Sequence, residues 1–268
     1  MSTADFAVIT RAQARSAEAL ELRGYALMAQ GRFAASVAAF AKMFAAKPEY
    51  QAEKARTHAQ NVSPLDRALF WKAPHGLFRE SRDAASVFTR IYDRGVWGGG
   101  SGAGSNIEHT VLYAGLVQYL LASKAVRSVV DLGCGDWRFS RYIDFHGVDY
   151  LGVDIVPSVV TSNNAHYGAP GIRFELADVA SFALPECDLV LCKDVFQHLD
   201  NSSVSKVCAQ LTRARLWLIT NDFHPSNEDC ENGDTRPLDP TVPPFRLDAR
   251  PVLAFGRKVA FLAQGRAG

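Results

Sequence analysis

The spacing of apolar positions changes character twice along the chain. Up to about residue 60, apolar residues recur at helical intervals in an Ala-rich background. Gly31 separates two helical patterns there, and Pro48 stops the second. Residues 81–94, SRDAASVFTRIYDR, set Ala85, Val87, Phe88, Ile91 and Tyr92 at helical spacing, with Ser81 as the predicted N-cap. The glycine- and serine-rich stretch Gly95–Ser105 follows, and then a helix carrying Val111, Leu112, Leu116, Tyr119 and Leu120 that ends near Lys124. From residue 127 short apolar runs alternate with helical stretches. RSVVDL, YLGVDI, IRFEL, CDLVLC and LWLIT predict five buried strands; 137–145, 157–166, 195–199 and 202–213 predict the helices between them. That rhythm implies a parallel α/β sheet covered on both faces. PVLAFG and RKVAFLAQ, joined at Gly256 and Arg257, predict a closing antiparallel hairpin.

Composition narrows the function classes. The 268 residues carry 29 Lys plus Arg against 28 Asp plus Glu. With a pI of about 7.7, this is not the balance of a basic nucleic-acid binder. No apolar run reaches the roughly 18–20 residues of a membrane span, and no basic amphipathic anchor appears. The opening MSTADFAVITRAQAR lacks a basic region followed by an apolar core, so no secretory signal is expected. Cys134, Cys187, Cys192, Cys208 and Cys230 are an odd set without CxxC spacing and read as reduced thiols. The expectation is a cytoplasmic protein with a small-molecule substrate and no nucleic-acid or membrane partner.

The chemistry concentrates where the first strand runs into Asp131-Leu132-Gly133-Cys134-Gly135-Asp136-Trp137. Two glycines after a buried strand let the backbone turn sharply and approach a ligand. Asp154, at the end of the second strand, stands where a carboxylate grips ribose hydroxyls. A dinucleotide site wants a third glycine, but Trp137 and Arg138 occupy those positions. S-adenosyl-L-methionine has no pyrophosphate, and Asp178-Val179 after the third strand would cap its adenine.

VVDLGCGD, YLGVDI, FELADV and CDLVLCKDVFQHL, in this order, resemble the class I S-adenosylmethionine-dependent methyltransferases over about residues 105–265. The resemblance implies a doubly wound, Rossmann-like sheet of seven strands whose last strand is reversed. It implies that Asp131, Gly133, Cys134 and Gly135 line the methionine end of the cofactor. Asp154 with Ile155 would hold the ribose, Asp178 and Val179 the adenine, and Asp194 with Val195 the pocket floor. Trp137 departs from the small residue usual at its position. The pairs Ile91-Tyr92 and Trp97-Gly98, the loop Ser101-Gly102-Ala103-Gly104-Ser105, and the later Gly233–Leu238 and Pro243-Pro244-Phe245 resemble a bacterial subgroup of these enzymes. Trp97, Ser101, Gly102 and Ser105 are thus expected to form a lid over the methionine carboxylate. Residues 17–50 resemble a single tetratricopeptide helical hairpin, with Arg23 and Ser36 where that repeat usually has an apolar and a small apolar residue.

The expected organisation is a helical extension over 1–60, a helix and lid loop over 61–105, and a methyltransferase core over 106–268. Candidate acid–base groups are His198, His224 and Asp222, at the ends of the fourth and fifth strands, where open α/β sheets bind ligands. Gln197, Asn221 and Arg236 are candidate acceptor contacts, Arg236 as a bidentate carboxylate clamp. Asp194, Asn221 and Asp222 do not follow the order of a catechol-type magnesium site, so no metal is expected. The other histidines, His109 among them, show no ligand spacing. Two further functions use the same residues: a non-methylating reaction at the cofactor's aminobutyryl chain, and a scaffold that recruits partners through the N-terminal helices. Those helices are also a candidate homodimer surface.

Overall fold

A computed structural model describes residues 16–61 and 83–265. The first element is α1 (Ala17–Ala29), capped by Ser16, whose Oγ accepts from the Ala19 N–H. Then come α2 (Phe33–Ala46) and α3 (Glu49–Gln60). The sequence predicts two helices here. Pro48 ends the second as expected, but it also initiates a third, whose polar composition hides its period. Ser36, the polar departure on α2, is fully buried and donates to the Gly24 carbonyl of α1 at 2.7 Å. Arg23 is exposed. The buried face of α2, with Val37, Phe40, Met43 and Phe44, packs against α5 (Ile107–Ser123) in one apolar cluster. Between them in sequence lies α4 (Ala84–Asp93). Its cap is Asp83, which accepts from the Ser86 N–H at 2.9 Å; the expected cap, Ser81, lies outside the described residues.

The sheet contains β1 (Ser128–Leu132), β2 (Asp149–Asp154), β3 (Ile172–Leu176), β4 (Cys187–Lys193), β5 (Ala214–Asp222), β6 (Ala249–Phe255) and β7 (Lys258–Gln264). Its order is β3-β2-β1-β4-β5-β7-β6, with the first five parallel and β7 antiparallel to both neighbours. Alternation along the strands divides the core. Val129, Leu189, Leu191 and Leu218 join α2 and α5 on one face. Val130, Val190, Cys192 and Ile219 join α4 and α7 (Asn201–Cys208) on the other. The order in which successive strands are added reverses between the parallel neighbours β1 and β4, which opens a crevice at the carboxyl ends of those strands.

Three expected helices are shorter, and the 195–199 segment is only a 3-10 turn at Phe196–His198. The 202–213 segment is α7 followed by a single 3-10 turn at Leu211–Arg213. The 137–145 segment holds only a 3-10 turn at Ser140–Tyr142. Trp137 has φ +54°, a left-handed conformation that interrupts helical growth. Its Nε1–H donates to Tyr150 Oη at 2.8 Å, and its ring packs among Phe145, Tyr150, Tyr167 and Phe174. The helix-like spacing therefore reflects core filling by a loop. The remaining crossover helix, α6 (Pro157–Tyr167), follows its expected limits and has Pro157 at its first turn.

Candidate active site

The loop after β1 adopts φ +67° at Gly133 and +58° at Gly135, a region where only glycine is unstrained. A second constraint comes from the protein's own walls. A Cβ on Gly133 would lie 2.5 Å from Val195 Cγ2, and one on Gly135 would lie 2.3 Å from Ser101 Oγ. Floor and lid thus close directly onto the loop. The Gly135 N–H donates to Asp154 Oδ2 at 2.9 Å, and the Val156 N–H to Oδ1 at 3.0 Å. These bonds fix the carboxylate plane while leaving each oxygen further acceptor capacity toward the cleft. Asn163, buried on α6, donates to the Gly135 carbonyl at 2.8 Å and braces the loop from behind.

Asp131 is buried beside this loop and accepts from Tyr150 Oη at 2.7 Å. Burial pushes its carboxyl up to about 7, against the opposing hydrogen bond from Tyr150 and the charge of Lys193. Burial also raises the Asp154 carboxyl, while the backbone N–H groups pull it back. The lid is held by Ser101: its Oγ accepts from the Asp136 N–H and meets Tyr92 Oη, both at 2.8 Å. Its own N–H donates to Asp136 Oδ2 at 3.2 Å. Trp97 packs against Phe88, Tyr92 and the His198 ring, whose centroid is 4.8 Å away.

These parts enclose a cleft of about 940 Å³. Its lining includes Trp97, Ser101, Gly102, Ser105, Asp131, Gly133, Cys134, Gly135, Asp154, Ile155, Asp178, Val179, Asp194 and Val195, so the expected cofactor residues all border one cleft. Of the acceptor-side candidates, Gln197, His198 and Asp222 also line it. His198 is engaged at both ring nitrogens: Nδ1 meets the Asp234 carbonyl at 2.8 Å and Nε2 meets Gln197 Nε2 at 3.2 Å. Burial holds its pKa below the usual imidazole value. Gln197 ties the strand ends together, its N–H donating to Asn221 Oδ1 and its Oε1 accepting from the Asp222 N–H.

Three candidates stand outside the cleft lining. Asn221 is buried and faces Gln197. His224 is buried, with Nδ1 accepting from Ser226. Arg236 corrects the expectation of a substrate clamp. It is fully buried, donates to the carbonyls of Leu199 and Glu228 and to Asn201 Oδ1, and so pins the 228–236 loop onto the start of α7. Its guanidinium is spent within the fold.

Residues 130–215 match the family described as methyltransferase domain. Over that segment the chain is similar to a methyltransferase domain. It is 27% identical to the ubiquinone biosynthesis O-methyltransferase of Bordetella avium over 38% of this chain and 45% of that protein. It is 30% identical to phosphoethanolamine N-methyltransferase 1 of Zea mays over 46% of this chain and 25% of that protein. The chain spans about half the length, or less, of the curated relatives it matches. A crystal structure of the Burkholderia thailandensis 1,6-didemethyltoxoflavin-N1-methyltransferase superposes with a TM-score of 0.50 and 16% identity. That likeness covers 74% of this chain and 94% of the other, and speaks for the fold.

The cleft also has features that motif reading missed. Lys193, with a side chain 5% exposed, donates to Asp194 Oδ2 at 2.6 Å and to the Gly104 carbonyl at 3.2 Å, which ties floor to lid. Lys258 bridges Asp194 and Asp222 at 2.9 and 3.0 Å, and Arg257 also donates to Asp222. The two carboxylates therefore share an ammonium rather than facing an open cation site. The Asp222–Lys258 pair follows from strand register, because the two residues are directly opposite across β5 and β7. From the N-terminal helices, Glu21, Tyr25, Gln51 and Lys54 reach the same cleft. Glu21 there accepts from Tyr50, Gln51 and Lys54. No helix among the described residues is long and apolar enough to cross a membrane.

Proposed function

We propose that this protein transfers a methyl group from S-adenosylmethionine to a small-molecule acceptor. The observation that carries this reading is the Gly133–Gly135 loop, hydrogen-bonded to the Asp154 carboxylate at the closed end of a cleft of about 940 Å³. The donor set suits the cofactor. Asp154 offers acceptor lone pairs for ribose hydroxyls, while Asp178 and Val179 offer a polar and an apolar contact for adenine. Asp131 offers a carboxylate for an ammonium group, and the lid serine and glycines offer short polar cover. When bound, the cofactor supplies a methyl carbon activated by a sulfonium. The chain's contribution is alignment and exclusion of water, made by Trp97 and the 101–105 lid above and Val195 below.

The volume lies near the upper end of small-ligand pockets. The walls from α1 and α3 add space beyond the cofactor subsite, which favours a second molecule over ring closure of the cofactor on itself. We keep the division into a 1–60 extension, a 61–105 lid segment and a 106–268 core. Because α2 spends its apolar face on α5, the extension acts as a cleft wall in this reading, and sedimentation would test the homodimer. An odd set of five cysteines without CxxC spacing supports a reducing, cytoplasmic setting.

Calorimetry with S-adenosylhomocysteine tests the reading, with Asp154→Ala expected to lose about 1.5–3 kcal/mol of affinity. An unchanged affinity would remove Asp154 from the ribose. Incubation with S-adenosylmethionine alone separates the reactions. Methylthioadenosine would indicate aminobutyryl chemistry, and S-adenosylhomocysteine formed only with an acceptor would indicate methylation.

A further inference from the structure

We propose that His109 is the general base of this site, taking a proton from a phenolic acceptor; the inference rests on the methyl-transfer reading above. His109 lies in the first turn of α5 and lines the cleft. Tyr113, one turn later on the same helix, packs its ring against Phe139 and against Phe255 at the end of β6. Residues four apart share a helical face, so His109 stands where α5 meets the β6–β7 turn. Gly104, five residues earlier, accepts from Lys193, and a Cβ there would lie 3.7 Å from Asp194 Oδ2 and 3.8 Å from Lys258 Nζ. His109 itself is exposed, and its helix starts directly after the loop that Lys193 holds to this floor.

Elimination strengthens the assignment. His198 has both nitrogens engaged. Lys193 and Lys258 are engaged in ion pairs with Asp194 and Asp222, and those carboxylates are correspondingly committed. Asp131 is tied to Tyr150, and Asp154 to two backbone N–H groups. Among the described residues, the ionisable cleft side chains without a hydrogen bond or ion pair include His109, Glu108 and Tyr25. Of these three, imidazole is the side chain suited to accept a proton near neutrality. Tyr25 and Phe255, which line the same cleft, give it flat apolar surfaces suited to an aromatic ring. An aromatic hydroxyl is acidic enough for an imidazole to activate.

In the step, the hydroxyl proton passes to an imidazole nitrogen of His109 as the oxygen lone pair bonds to the methyl carbon. The carbon–sulfur bond breaks with its electron pair on sulfur, and the imidazolium later loses its proton to water. The charged groups lining the cleft also include Glu108 on α5, Lys193 and Asp194 from β4, Asp222 from β5, Arg257 and Lys258 from the β6–β7 turn, and Glu21 and Lys54 from α1 and α3.

The test compares wild type with His109→Gln in three steps. S-adenosylhomocysteine affinity is measured first and should be equal in both. A loss of binding in wild type would overturn the methyl-transfer reading itself. 4-Nitrophenol is then added to the S-adenosylhomocysteine complex below the pH at which the free phenol ionises. Wild type should show a bound phenolate band that the variant lacks. Finally, turnover of para-substituted phenols should fall about 10²-fold in kcat for phenol itself. The loss should shrink toward none for 4-nitrophenol, which needs little help to ionise, and a merely structural role would give a uniform loss. An equal phenolate band in both proteins, a uniform loss, or cofactor binding without methylation of any phenol would overturn His109 as the base while leaving the cofactor site standing.

Discussion

Replacing Gly135 by Ala perturbs two things at once, and the structure separates them. The backbone at φ +58° costs a non-glycine residue about 1–2 kcal/mol. The new Cβ would also meet Ser101 Oγ at 2.3 Å and Ser101 Cβ at 3.1 Å. Ser101 must then move, giving up its bonds to the Asp136 N–H and Tyr92 Oη, at about 1 kcal/mol each. Gly135→Ala is therefore expected to cost roughly 3–4 kcal/mol of stability. Ser101→Gly loses the same two bonds, about 2 kcal/mol, without backbone strain at 135. In the double variant the collision is gone and the shared bonds are lost only once. Its cost should match Gly135→Ala alone, so the two changes fall short of additivity by about 2 kcal/mol. Urea denaturation followed by far-UV circular dichroism on the four proteins reads this coupling. Additivity within about 0.5 kcal/mol would show that lid and loop do not touch, and would refute the closed geometry.

Asp131 predicts a pH dependence. Its carboxyl ordinarily titrates near 3.8 and is raised to about 7 in the fold, so between those values the folded state binds the extra proton. Stability should fall as pH rises through that window, and Asp131→Asn should flatten this part of the curve when unfolding is measured from pH 4 to 8. An equal slope in both proteins would refute the assignment. A cationic ligand group near Asp131 should also expel the proton, which calorimetry in buffers of different ionisation enthalpy would detect as proton release near neutrality. Arg236→Leu leaves the Leu199 and Glu228 carbonyls without their donor, and should cost about 3 kcal/mol or more in urea denaturation. The more conservative Arg236→Lys should keep S-adenosylhomocysteine affinity within twofold in calorimetry, and a large affinity loss in that folded variant would return Arg236 to the site.

Much of the fold was legible because buried strands impose period and length: RSVVDL, YLGVDI, IRFEL, CDLVLC and LWLIT appear within two residues of their expected limits. The false helix over 137–145 arose because Trp137, Phe139, Ile143 and Phe145 fill the core from a loop. Their spacing resembles a helix, but the left-handed Trp137 is invisible in sequence. Among the cleft-lining residues, Gly133, Gly135 and Asp154 were readable because few residue types satisfy a tight turn and a strand-end carboxylate. The partners of Arg236 were not readable, because backbone carbonyls carry no residue signature. Lys258 becomes legible only once register sets it opposite Asp222. Glu21, Tyr25 and Lys54 depend on α1 and α3 being folded against the sheet, which no local pattern encodes.

The most direct measurement is isothermal calorimetry of the purified protein with S-adenosylhomocysteine. A loop of this geometry with the Asp154 carboxylate beside it predicts one molecule bound per chain at micromolar concentration, weakened in Asp154→Ala. No heat at high micromolar ligand from a folded sample would contradict the account at its base.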